Sequence, residues 1–148
     1  MNLHDDRDWM MERDRPGYRW RRKRIAGELI GASLFELGEG EKVAPYHYEE
    51  GQEEWLLVVS GEPTLRTEEG QRVLAPGDVV CFPAGPGGAH QVVGPGRVLI
   101  ASTQVVPRTA VQPDSDKLFV RWGARPDDFL VVRRGDAVDY WEGENGSS

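Results

Sequence analysis

Apolar and polar positions follow two different regimes along the chain, with the change near residue 25. Residues 1–24 are mostly polar and show no clean period. They read as an extended arm with one helical turn near Trp9, and Trp9, Tyr18 and Trp20 suggest that the arm docks against something. From residue 25 onward, short runs rich in β-branched and aromatic residues alternate with turn signals. Ten strands are expected, over 29–37, 43–48, 54–60, 64–67, 72–74, 79–83, 89–93, 97–106, 117–122 and 128–133. Gly38-Glu39-Gly40, Gly61-Glu62-Pro63, Ala75-Pro76-Gly77-Asp78 and Gly94-Pro95-Gly96 punctuate them. Many short strands without a convincing helix predict an antiparallel sandwich or barrel. Residues 55–59 are apolar on both faces, which predicts a covered barrel or a subunit interface.

Composition agrees with this pattern and adds exclusions. The chain has 148 residues, with 18 glycines and 10 prolines, 39% hydrophobic and 29% charged. That length fits one domain with a core of its own. The expected divisions are an arm over 1–28, a β-barrel domain with C-terminal strands over 29–142, and a disordered tail over 143–148. A net charge of −7 disfavours nucleic acid and anionic membrane as partners. The charge is uneven, since residues 1–24 hold eight basic against five acidic groups. The basic run at 19–24 reads as a solvated segment lying against the acidic body or a second subunit. The single Cys81 sits in an apolar strand and is expected to be buried. With no apolar span and no signal segment, a cytoplasmic protein is expected.

The candidate chemistry rests on few residues. His47 and Glu49 are two apart, so in a strand they share a face. If Gly51 turns the chain into a hairpin, Glu54 approaches them from the next strand. His90 follows the glycine-rich loop 85–88 and can arrive from an opposing strand. Two imidazoles with one or two carboxylates suit a divalent ion such as Fe, Mn, Ni or Zn. Tyr46 and Phe82 are candidate pocket aromatics, Arg66 a candidate anion holder, and Gln104 a candidate polar lining residue. No nucleotide-binding loop or serine-hydrolase elbow is present.

The same residues carry a family resemblance. His47-Tyr48-Glu49, then Glu54, then Gly61 after six residues resembles the first motif of the cupin superfamily. Gly77-Asp78-Val79-Val80-Cys81-Phe82-Pro83-Ala84-Gly85, with His90 beyond, resembles the second. The likeness is to small bacterial single-domain cupins. It implies an all-β jelly-roll barrel (a double-stranded β-helix), often dimeric, carrying a metal in its mouth. Cupin ligands are typically three histidines and one glutamate. By position they correspond to His47, Glu49, Glu54 and His90, with Glu49 standing where the family has histidine. The spacing from Gly85 to His90 is two residues longer than the motif, and Gly94 stands at its asparagine.

The resulting expectation is a homodimer with a divalent-metal site that acts on or binds a small molecule. As an enzyme it would be a metal-dependent dioxygenase or isomerase. The alternative is a metal-free binder of a small molecule, such as a carbohydrate, without catalysis.

Overall fold

The strands of the computed structural model, which describes residues 1–144 and 146, form three antiparallel sheets. In chain order they are β1 (Met11–Arg13), β2 (Trp20–Ala26), β3 (Ile30–Leu37), β4 (Tyr48–Glu50), β5 (Glu54–Gly61), β6 (Thr64–Thr67) and β7 (Gly70–Val73). After them come β8 (Val79–Phe82), β9 (Gln91–Val93), β10 (Gly96–Thr103), β11 (Arg108–Gln112), β12 (Lys117–Arg121) and β13 (Phe129–Arg133). One sheet runs β1-β2-β3-β10-β5-β8, a second β13-β12-β11-β4, and a third β7-β6-β9. This is an all-β jelly roll, and no α-helix occurs among the described residues. None of their helices is long and apolar enough to cross a membrane.

Register decides which side chains face inward. In the large sheet Phe35 pairs with Val98, and Val98 with Val58, so one row of apolar residues crosses three strands. These three join Trp20, Leu37, Leu56, Leu65, Leu74, Phe82 and Val92 in the buried core. The core thus lies between the large sheet and the three-stranded sheet. Directly opposed residues share a face, so the alternation of β5 buries Glu54, Leu56 and Val58 and leaves Trp55 half exposed.

Several expectations are corrected. Residues 20–26 form a full strand paired with β3 along its length. The segment around Trp9 has no helical turn. It lies across the outer face of the large sheet, where the Trp9 ring meets Arg21, Lys23 and Arg97 at 4.7, 4.9 and 5.3 Å. The main chain there accepts hydrogen bonds from Lys23 and Arg97 through the Asp5 and Leu3 carbonyls. Residues 97–106 do not form one strand, because β10 ends at Thr103 and a new strand, β11, starts after Pro107. Proline lacks the N–H that a continuous ladder needs. Cys81 is exposed, because Phe82 takes the inward position beside it on β8. Residues 145, 147 and 148 of the expected tail lie outside the described residues.

Candidate metal centre

The hairpin expected at Gly51 does not form. β4 pairs with β11 in the four-stranded sheet, whereas β5 lies in the six-stranded sheet. Residues 51–53 carry the chain from one sheet to the other, so His47 and Glu54 meet across the interior.

His90 arrives by a different route. Its backbone pairs with that of His47: His47 N donates to the His90 carbonyl at 3.1 Å, and His90 N donates to the His47 carbonyl at 2.9 Å. The two extra residues between Gly85 and His90 are taken up by a single 3-10 turn, Pro86–Gly88. A side chain at Gly88 would collide with the Pro83 carbonyl, so this turn closes only with glycine there. The His90 ring then stacks flat on Phe82, with centroids 3.6 Å apart and planes 7° from parallel.

Both imidazoles are held by their Nδ1 atoms. His47 Nδ1 donates to the Pro45 carbonyl at 2.8 Å, and His90 Nδ1 donates to the Gly88 carbonyl at 2.9 Å. A carbonyl can only accept, so Nδ1 carries a proton and Nε2 is the atom turned toward the site. Glu54 Oε2 lies 3.8 Å from His47 Nε2 and 3.6 Å from His90 Nε2. One ligand atom from each of the three residues lies within 4.8 Å of the others. Atoms bonded to one ion at about 2.0–2.2 Å stand no more than roughly 4.4 Å apart, so both separations to Glu54 fit a shared ion. The donor set is right in kind as well: two imidazole nitrogens, each ring held at Nδ1 by a backbone carbonyl, and one carboxylate.

Electrostatics separate the two carboxylates. Glu49 Oε1 lies 3.6 Å from His47 Nε2, and its carboxylate is also gripped by Arg108. Burial alone would raise the Glu49 pKa, but His47 and Arg108 hold it down to about 2. Burial, reinforced by the Glu49 charge, pushes Glu54 upward. Burial with His47 alongside drives His90 down to about 4, which keeps its ring neutral. Burial opposes charge on His47, and the two carboxylates outweigh it, so its pKa rises. Thus His47, Glu54 and His90 converge, while Glu49 forms an ion pair at their edge.

The three residues line one side of a cavity of about 790 Å³. Gln104 lines it too, as expected. Tyr46 and Arg66 are not among its lining residues: Arg66 stacks over the Tyr46 ring at 4.0 Å and binds Asp114 at 2.6 and 2.9 Å. Phe82 supports His90 from behind and does not line the cavity. Sequence reasoning missed Arg22 and Arg24, which line the cavity from β2. Their signal was the alternation Trp20, Arg22, Arg24 inside the basic run, which places all three on one face of a strand.

Residues 33–102 match the cupin domain family. The chain carries a cupin domain. Solved structures agree on the fold. A sugar phosphate isomerase of the cupin superfamily from Silicibacter pomeroyi DSS-3 superposes with a TM-score of 0.72 at 26% identity, covering 80% of this chain and 78% of that one. A protein from Acidithiobacillus ferrooxidans ATCC 23270 gives a TM-score of 0.71 at 24% identity, covering 84% and 82%. KdgF from Halomonas sp. gives 0.54 at 24% identity, covering 66% and 86%. No curated protein matches the sequence. The matched residues include both ligand motifs, and β1, β2 and β11 to β13 lie outside them.

Proposed function

We propose that this cupin is a metal-dependent isomerase of a phosphorylated sugar. The observation that carries the reading is the convergence of His47, Glu54 and His90 on the wall of a substrate-sized cavity. The similarity to the Silicibacter pomeroyi sugar phosphate isomerase supports the choice of reaction class. A divalent ion held by His47, Glu54 and His90 would supply Lewis acidity toward a substrate carbonyl.

The chain's own residues do the rest. His47 and His90 present fixed Nε2 atoms. Glu54 is the only carboxylate lining the cavity among the described residues. Its Oε2 faces the imidazoles, and it is the group placed to move a proton between adjacent carbons. Glu49, locked to Arg108, fixes the His47 ring and takes no proton. Ser33, Ser102 and Gln104 also line the cavity and offer hydrogen bonds to sugar hydroxyls.

A second reading is favoured by one observation. Two histidines and one carboxylate with open positions are the donor set of non-haem Fe(II) oxygenases. Assaying the metal-loaded protein with a panel of aldose and ketose phosphates separates the two. Interconversion without uptake of O₂ supports the isomerase. O₂ consumption without interconversion supports the dioxygenase.

The proposed working form is a homodimer. The exposed Phe129, Leu130, Val131 and Val132 of the edge strand β13 support it.

A further inference from the structure

Five arginines line the cavity: Arg13, Arg22, Arg24, Arg108 and Arg121. Glu54 is the one carboxylate facing them among the described residues. Arg108 is matched by Glu49. The other four have no carboxylate partner among the described residues. Arg22 donates only to Ser33 Oγ, at 3.1 and 2.9 Å, and lies 5.5 Å from the Phe35 ring. Arg13 lies over Trp20 at 4.8 Å, and Arg121 over Phe129 at 5.2 Å.

Outside the cavity seven of ten arginines are paired with an acid, and Arg15, Arg72 and Arg133 are not. Arg7, Arg19, Arg21, Arg66, Arg97, Arg125 and Arg134 each meet an aspartate or glutamate. The contrast is sharpest within β2. Arg21 faces outward and binds Glu36, while Arg22 and Arg24 face inward and bind no acid. A protein with 25 acidic against 18 basic groups places four arginines without an acidic partner around a single cavity. Burial, with Arg24, Arg108 and Arg13 nearby, holds the Arg22 pKa below its ordinary value, as expected where cations stand together without a counter-ion.

We infer that Arg22 and Arg24, flanked by Arg13 and Arg121, form the subsite for the phosphate group of the substrate. The inference rests on the isomerase reading above for the identity of that substrate. Guanidinium forks match phosphate oxygens in pairs. Four separate forks exceed what a single carboxylate balances, whereas a dianionic phosphate offers three acceptor oxygens. In the large sheet β2 lies three strands from β5, about 14 Å at the usual strand spacing. The phosphate end and the reacting end of the substrate are therefore held at separate places along the same sheet. Contacts remote from the chemistry then orient the sugar over Glu54.

The test is calorimetric titration of inorganic phosphate into the metal-loaded protein, with metal content measured in every variant. Phosphate is expected to bind the wild type with at least tenfold greater affinity than it binds R22Q or R24Q. Metal content should stay at the wild-type level in both variants. R66Q, altered outside the cavity, should bind like the wild type, and acetate should bind far more weakly than phosphate. Should R22Q fail to fold, R22K keeps the charge, loses the fork and should still weaken phosphate binding. The inference is overturned if R22Q and R24Q bind phosphate as the wild type does. It is also overturned if E54Q, stripped of metal, loses phosphate binding while R22Q keeps it, because phosphate would then sit on the ion. A chain without metal that still binds phosphate through Arg22 upholds the subsite and sinks the isomerase reading.

Discussion

At the scale of residues, the site depends on a division of labour between two carboxylates five positions apart. Glu54 faces the cavity; Glu49 faces Arg108. Glu54→Gln and His90→Ala should each abolish metal uptake while leaving the β-sheet circular dichroism unchanged, because neither side chain belongs to the apolar core. Glu49→Gln should act more gently. It frees Arg108 and loosens His47, and metal affinity should fall about 10–100-fold, the usual effect of losing a supporting partner. If Glu49→Gln removed metal as completely as Glu54→Gln, Glu49 would be a ligand in its own right.

At the scale of elements, the large sheet carries the argument. Leu56 is fully buried in the row beside Glu54, so Leu56→Ala should cost about 2–5 kcal/mol in denaturant unfolding. The N-terminal segment is held by Trp9 beneath three cationic side chains, each contact contributing about 0.5–1 kcal/mol. Trp9→Ala should speed amide exchange in residues 3–10 and leave β3 and β10 protected. An equal loss of protection in β3 would mean that the segment is part of the core.

Legibility also divided by element. Strands such as β3, β5 and β12 were readable because each is a short run rich in apolar, β-branched or aromatic residues bounded by turn signals. β2 was not, since its inward positions below Trp20 are arginines that line a polar cavity, and the binary pattern carries no label for such a face. The His–Glu–His group was readable from motif spacing, yet the hairpin expected to build it was wrong. Pairing partners come from long-range register, which no local pattern of residues 47–54 contains. Tyr46 and Arg66 were misplaced for a related reason: alternation gives the shared face of Thr64 and Arg66 but cannot say which face looks into the cavity.

At the scale of the molecule, an acidic chain holds a cavity whose lining is positive. Its field draws anions into the mouth, so binding of phosphate-bearing ligands should weaken as ionic strength rises. The exposed apolar edge at β13 predicts a dimer at micromolar concentration in light scattering, and a monomeric mass would remove that part of the account. The claim on which the rest stands is the metal centre. Elemental analysis of the full chain, purified without chelator, should find close to one divalent ion per chain. A value near zero, with no uptake after Fe, Mn, Ni or Zn is added, would contradict it.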